Sequence, residues 1–146
     1  MKIREMTVED IRGIALLAAE NSGTPWSENA LLTYLLRDDT ILMVSEDDDG
    51  RLTGFCGVLL MPPESEILDI AVDAGVRHLG IGTVLMSSVL REARKRGTSV
   101  TYLEVRESNV PAIGLYEKTG FEPYGRRARY YTDPVEDAIV MRLSLC

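Results

Sequence analysis

The 146-residue chain is poor in the residues that usually announce a metal or nucleophile site: it has one histidine, two cysteines and one tryptophan, and 6% of it is aromatic. With His78 as the lone histidine, a zinc site of the usual His/Cys type and a Ser-His-Asp triad are both disfavoured, and no metal is expected. Cys56 lies inside an apolar run and Cys146 is the last residue, a placement that suggests neither a disulfide framework nor a metal spacing. Cys56 reads better as a small buried hydrophobe than as a reactive thiol. No apolar run approaches the roughly 20 residues of a membrane span, and Met1-Lys2-Ile3-Arg4-Glu5 lacks a signal-peptide pattern, so a cytoplasmic protein without membrane association is expected. Positive charge is the minority: 16 Lys and Arg against 23 Asp and Glu leave a net charge of −7 at pH 7. That balance argues against direct nucleic-acid binding and fits either a cationic partner or simple solubility. Repeats, low-complexity segments and linkers are lacking too, so a single domain over residues 1–146 is expected.

What the chain does have is a glycine-rich turn in an informative place. Arg77-His78-Leu79-Gly80-Ile81-Gly82-Thr83 follows the strand-like run Glu66 to Val72 and opens an amphipathic helix over Gly82 to Arg96. Ile81, Leu85, Val89 and Ala93 recur at helical spacing with Met86 and Leu90 beside them, and Gly97 stands where a helix C′ glycine belongs. Two glycines let main-chain N–H groups turn inward, and the following helix aims its positive dipole end at the same point, so an anion such as a phosphate is expected there. The turn lacks the third glycine and downstream acidic residue of a dinucleotide fingerprint, and the Gly-Lys-Ser/Thr of a P-loop, so neither NAD nor ATP is its natural ligand.

The remaining elements follow in order. Lys2 to Met6 is predicted as a strand, Thr7 as the cap of a helix reaching about Glu20, Asn21 to Pro25 as a break, and Ser27 as the cap of a helix carrying Leu31, Leu32, Leu35 and Leu36. Thr40 to Glu46, Leu52 to Met61 and Glu66 to Val72 form a predicted meander. Its acidic turn Asp47-Asp48-Asp49-Gly50 lacks the sixth-position glycine and terminal glutamate of a calcium loop and reads as a hairpin. Ser99 to Val105 follows as a strand, Asn109 to Thr119 as a short helix ended by Gly120, and Phe121 to Arg129 and Glu136 to Leu143 as closing strands around a loop containing Tyr130 to Pro134.

Glu104 lies near the carboxyl end of its strand, where ligands of α/β sheets tend to bind, and Tyr116 follows on a helix that returns past the same edge. A carboxylate there could take a proton from an attacking amine, and a phenol could return one to a departing thiolate. From the residues alone, an outward-facing strand position for Glu104, a core position beside Ile113 and Leu115 for Tyr116, and a helix cap for Asn109 are the simpler readings, with the chemical roles left open. Arg126, Arg127, Arg129, Tyr130 and Tyr131 fit a peptide contact, a phosphate contact or a solvated strand edge.

Taken together, Asp69-Ile70-Ala71-Val72, Arg77-x-x-Gly80-x-Gly82, Leu103-Glu104-Val105-Arg106, Ser108-Asn109, Ala112-Ile113-x-Leu115-Tyr116-Glu117 and Thr119-Gly120-Phe121 closely resemble the GCN5-related N-acetyltransferase (GNAT) superfamily. Pro25-Trp26-Ser27-Glu28 and Arg126-Arg127-x-x-Tyr130-Tyr131 through Glu136-Asp137-Ala138 resemble its RimI branch, the ribosomal-protein-alanine N-acetyltransferases. The resemblance covers nearly the whole chain. It implies an α/β (α+β) fold: a mixed, mostly antiparallel sheet of about seven strands, splayed between the fourth and fifth, with about four helices. It implies acetyl-CoA as cosubstrate, with the main chain of Ile70, Ala71 and Val72 on the pantetheine arm, Arg77, His78, Leu79, Gly80, Ile81, Gly82 and Thr83 on the pyrophosphate, and Asn109 and Tyr116 as further cofactor contacts. Glu104 becomes the proton acceptor and Tyr116 the donor in a direct transfer needing no acyl-enzyme, and Trp26, Tyr130 and Tyr131 lie where the acceptor binds. The implied acceptor is a protein N-terminus, above all the N-terminal alanine of the eighteenth small-subunit ribosomal protein. A lysine, polyamine or other small amine is the alternative acceptor, and a non-catalytic acetyl-CoA-binding module the alternative of another class. Arg77 stands where many relatives carry glutamine, and Thr83 where several have a basic or small residue. In a cradle that acts through main-chain N–H groups, these departures bear on affinity more than on reaction type.

Overall fold

A computed structural model describes residues 1–21 and 26–145. The expected break at 21–25 therefore falls, from residue 22 on, outside the described residues, as do Pro25 and Cys146. The strands are β1 (Lys2–Glu5), β2 (Thr40–Glu46), β3 (Leu52–Met61), β4 (Glu64–Val72), β5 (Val100–Arg106), β6 (Glu122–Thr132) and β7 (Val135–Ser144). The helices are α1 (Ile11–Asn21), α2 (Glu28–Leu35), α3 (Ile81–Lys95) and α4 (Val110–Thr119), with single 3-10 turns at Val8–Asp10 and Ala74–Val76. All seven strands form one sheet in the order β1-β2-β3-β4-β5-β7-β6.

Helices α1 and α2 cover one face of the sheet and α3 and α4 the other, and strand alternation divides the core between them. In β2, Leu42 and Val44 join Ile14, Leu31 and Phe55 under α1 and α2, whereas Ile41 and Met43 join Leu85, Met86 and Val89 under α3. A strand buried on both faces reads as an apolar run without alternation. Every apolar position predicted for the inner face of α3 is buried, and Gly97 adopts φ +91° beyond its end. Capping works as the sequence suggests at Ser27, whose Oγ accepts from Ala30 N at 3.0 Å. At Thr7, whose N–H donates to Asp10 Oδ2 at 2.8 Å, the first turn is 3-10 before the helix proper begins at Ile11. Asp47 folds the acidic turn, its Oδ1 accepting from Asp49 N and Arg51 N at 2.9 Å each, with Gly50 at φ +81°.

Two strand boundaries differ by more than one residue from the sequence reading. Strand β4 starts at Glu64 rather than Glu66, because Glu64 and Ser65 already pair with Met61 and Leu60 across a tight turn. Strand β6 runs through Thr132, so Tyr130 and Tyr131 are strand residues and the expected loop shrinks to a turn at Asp133 and Pro134. A bulge between Arg127 and Tyr131, with Arg129 at φ +51°, resets the register, and pairing then resumes at Tyr131↔Glu136.

The opening in the sheet lies between β4 and β5, the only parallel neighbours among the described strands. Their ladder holds from Glu64↔Val100 to Glu66↔Tyr102 and ends there, although β4 runs on to Val72 and β5 to Arg106. A register shift at Gly57/Val58 inserts Leu68 as an extra residue in β4 (Val58↔Ile67, Gly57↔Asp69), and a bulge of this kind bends the strand that carries it. Strand β5 continues with β7 as far as Arg106↔Ala138, so the two halves of the sheet part.

Candidate active site

Beyond Val72 the chain turns on Asp73, whose Oδ1 accepts from Gly75 N at 2.9 Å and whose other oxygen pairs with Arg51. Arg77 then donates through Nη2 to Asn21 Oδ1 at 3.3 Å, and the same oxygen accepts from Ala74 N at 3.0 Å. The cradle is formed by two residues in the left-handed region, His78 at φ +71° and Gly80 at φ +81°. Gly80 is the N-cap of α3, so the first-turn N–H groups of the helix have no acceptor within it and face the same space. Its companion Gly82 serves closeness instead: a Cβ there would stand 3.2 Å from Leu115 Cδ2, where α3 meets α4.

A cleft of about 530 Å³ runs from this turn along the open edge of β4 to α4. Ile70, Val72, Arg77, His78, Gly80, Ile81, Gly82, Thr83, Asn109 and Tyr116 all border it. Leu79, which is 71% exposed, does not, and neither does Ala71, which is buried and pairs with Phe55 of β3. Asn109 is the cap that one reading anticipated, accepting from Ala112 N at 3.3 Å, and it also stands at the cleft wall. Tyr116 likewise combines both readings: its ring packs edge-on to Phe121 at 5.9 Å and is 7% exposed, yet it borders the cleft. Burial, followed by the negative charge of Asp69, holds the Tyr116 proton far above the ordinary phenol range. Cys56 is fully buried under α3, and burial pushes its thiol well up, so no reactive thiolate is available there.

Glu104 points the other way. Leu103 and Val105 enter the core under α3, so the intervening Glu104 projects from the opposite face. There it borders a second cleft, of about 300 Å³, with Glu66, Tyr102, Tyr124 and Arg127. One oxygen, Oε1, lies 3.1 Å from Arg127 Nε. The other, Oε2, is buried and has no hydrogen-bond partner among the described residues. Burial and the neighbouring charge of Glu104 raise the affinity of Glu66 for its proton, with Arg127 opposing them. Tyr130 and Tyr131 border the same acidic centre, their rings 5.1 Å apart. A hydrogen bond to Glu104, then burial, keeps the Tyr130 proton on, whereas burial first and Glu104 second push Tyr131 up to about 12. The Arg106 guanidinium sits 4.3 Å over the Tyr131 ring and pairs with Glu136 at 3.3 Å. Trp26 reaches neither tyrosine. Its ring packs against Tyr34 and Phe55, and its Nε1 donates to Asp69 Oδ2 at 2.7 Å.

Of the arginines left open by the sequence, Arg127 joins Glu104 and Arg126 pairs with Glu107 and Asp137. Sequence reasoning did not single out Glu66, or Asp69 as a side chain. Strand alternation carried a signal for Glu66, two residues into β4, and an aspartate inside the apolar run Ile67 to Val72 carried one for Asp69. Among the described residues no group of three His, Cys, Asp or Glu side chains is placed to hold a metal, and no helix is long and apolar enough to cross a membrane.

These features coincide with those of known proteins. The sequence model of the "Acetyltransferase (GNAT) family" matches residues 8–121. The [Ribosomal protein bS18]-alanine N-acetyltransferase of Escherichia coli strain K12 is 35% identical over 123 residues, covering 83% of this chain and 82% of its own. The crystal structure of the ribosomal-protein-S18-alanine N-acetyltransferase from Escherichia coli superposes with a TM-score of 0.88 at 30% identity, covering 99% of this chain and 93% of that one. Ard1 from Thermoplasma volcanium gives a TM-score of 0.87 at 26% identity, covering 99% and 97%. The sheet parted between β4 and β5 is thus the shared fold, and the chain belongs to the acetyltransferase (GNAT) family, in its RimI-type branch, as an acetyl-CoA-dependent N-acetyltransferase.

Proposed function

We propose that this chain, as one cytoplasmic domain, acetylates the N-terminal α-amine of a protein, the leading acceptor being the N-terminal alanine of ribosomal protein bS18. The observation that carries the reading is Glu104 Oε2, a carboxylate oxygen buried without a partner among the described residues where the two halves of the sheet part. A buried acceptor of this kind costs free energy unless a ligand or a water completes it, and an amine does so.

The residues of the larger cleft fit acetyl-CoA. A left-handed glycine with open space where its Cβ would stand, free first-turn N–H groups of α3, and the nearby cations Arg77 and Lys118 suit a diphosphate. The open edge of β4 from Ile70 to Val72 suits an extended amide-bearing arm, and Asn109 stands at the far wall. When bound, the coenzyme supplies an activated acetyl thioester.

The chain's own groups manage the protons. An α-amine has an ordinary pKa near 7.7–8.0 and arrives mostly as ammonium at neutral pH. Glu104 takes its proton, directly or through one water, so that the nitrogen lone pair is free to form the N–C bond. As the C–S bond breaks, Tyr116 would donate its hydroxyl proton, kept in place until then by its buried setting, to the leaving sulfur. The second proton, shed by the acylated nitrogen, would return through water to the Tyr116 phenolate, leaving the net proton on Glu104 for solvent. Cys56 takes no part. Tyr130 and Tyr131, beside Glu104, are assigned to the acceptor together with Trp26, which stands apart from them against Asp69, and a basic acceptor matches the net charge of −7.

The test compares an alanine-starting peptide from bS18 with an N-blocked copy carrying an internal lysine. Acetylation of the free peptide alone, located at its N-terminus by mass spectrometry, is the expected result. Equal acetylation of both would move the assignment to lysine or small amines.

A further inference from the structure

Asp69 links the open edge of β4 to Trp26. Its Oδ2 accepts the indole N–H of Trp26 at 2.7 Å, while its Oδ1 accepts the main-chain N–H of Ile70 at 2.9 Å. Ile70 lies beyond Glu66↔Tyr102, where β4 has lost its neighbour β5, so Asp69 covers a main-chain donor on the open edge with its own side chain. Trp26, 43 residues away in the chain, is fixed by that bond and by edge-on packing on Tyr34 at 5.4 Å and Phe55 at 6.0 Å. Phe55 is fully buried, so the indole has a rigid wall behind it.

A carboxylate is planar and stiff, and its two oxygens cannot move independently. A ligand that takes the N–H of Ile70 must turn Oδ1 away, and the same rotation displaces Oδ2 from the indole. From this geometry we infer that Asp69 is a positioning residue that couples occupancy of the acetyl-CoA cleft to the placement of Trp26 on the acceptor side. The inference rests on the proposed assignment of Ile70 to Val72 to the coenzyme and of Trp26 to the acceptor. It gives Asp69 a task that neither core packing nor proton transfer requires: binding of the donor reshapes the place where the amine will arrive. Coupling of this kind is reciprocal, so a bound acceptor alters affinity for the coenzyme by the same factor.

The test uses the full chain and coenzyme A, with two readouts taken together. Trp26 is the chain's one tryptophan, so tryptophan fluorescence reports the surroundings of this one residue and the Asp69 variants isolate the contact, while calorimetry reports binding. In the wild-type chain the emission is expected to change saturably with the calorimetric midpoint. In Asp69→Asn, whose single amide oxygen cannot accept from both Ile70 and Trp26, the emission change is expected to be lost while heat of binding persists. With the acceptor peptide, the variant's KM at saturating acetyl-CoA is expected to rise at least about fivefold, the lower end of ordinary coupling, with a smaller change in kcat. Asp69→Ala repeats the test without any side-chain acceptor, should the asparagine adopt a new contact. Heat without an emission change in the wild type, or an emission change surviving in both variants, overturns the inference. Absence of heat in the wild type is a different result and rejects the coenzyme cleft itself.

Discussion

Tyr116→Phe removes one oxygen from the wall of the acetyl-CoA cleft and leaves the ring edge-on to Phe121 at 5.9 Å. Because the ring is only 7% exposed and phenylalanine fills nearly the same volume, thermal stability should change by less than about 1 kcal/mol. Loss of the hydroxyl as a ligand contact forfeits at most about one neutral hydrogen bond, roughly 0.5–1.5 kcal/mol, so acetyl-CoA affinity should fall no more than about tenfold. Loss of a general acid is larger, roughly 10²–10⁴-fold in rate, or about 3–5 kcal/mol of barrier. Single-turnover thiol release at saturating donor and acceptor measures the second effect, and calorimetry with acetyl-CoA measures the first. The sign of the pH dependence adds a check. The acid must be protonated to act, and burial with the charge of Asp69 raises its pKa, so Tyr116 stays competent through the ordinary phenol pKa of about 10. No loss of wild-type turnover up to about pH 10 should trace to this residue. Equal falls in turnover and coenzyme affinity, or a basic limb below about pH 9 that vanishes in Tyr116→Phe, would refute the assigned role.

Gly80→Asp should weaken coenzyme A binding in calorimetry by far more than Gly80→Ala, which isolates the roughly 1–2 kcal/mol cost of a side chain at φ +81°; equal losses would reject the cradle. In the folded chain burial keeps Cys56 protonated, whereas in the unfolded chain it ionises near 8.5, so its contribution to stability is complete below that pH and is lost above it. Urea unfolding of Cys56→Ala between about pH 9 and 10 should therefore show a slope shallower by up to about 1.4 kcal/mol per pH unit. Hydrogen bonding to Arg4 holds the Asp10 carboxyl below its ordinary value against the cost of burial, so its stabilisation is present above about pH 4 and lost on further acidification. Arg4→Ala strands a carboxylate whose side chain is 8% exposed, and should cost about 3 kcal/mol at pH 7, the low end for a broken buried pair because Arg4 itself is 27% exposed.

The parts of the fold legible in the sequence are those fixed by local chemistry. Ile81, Leu85, Val89 and Ala93 declare α3, two glycines declare the turn before it, and Asp47 to Gly50 declare the first hairpin. What escaped depends on partners remote in the chain. Tyr130 and Tyr131 belong to β6 because a bulge at Arg129 restores pairing with Glu136, and that needs β7 in place first. Arg127 reaches Glu104 because β7 separates β6 from β5, a sheet order that no local pattern contains. The bond from Trp26 to Asp69 spans 43 residues. For Tyr116 and Asn109 the competing sequence readings are compatible. A helix that walls a cleft uses its side chains for packing and exposure at once, so a core tyrosine and a cleft tyrosine are the same residue.

The proposed acid and base come from opposite faces of one sheet, and this makes the parting of its strands a requirement of the chemistry. Tyr116 belongs to α4, on the face that α3 also covers, whereas alternation along β5 sends Glu104 to the other face. In an intact sheet a hydrogen-bonded ladder would lie between them, and no single bond rearrangement could reach both. Here the ladder ends at Glu66↔Tyr102, and the extra residue at Leu68 bends β4 aside before Asp69 and Ile70. Each face can then serve one partner. On the proposed reading the donor would lie along the cradle of α3, the acceptor would come in past Glu104, and one proton would leave on one face while another is supplied from the other. With separate faces the two groups need not share an environment, so Tyr116 can be buried deeply enough to keep its proton while Glu104 keeps a buried Oε2 with no partner among the described residues, which on the proposed reading the amine completes.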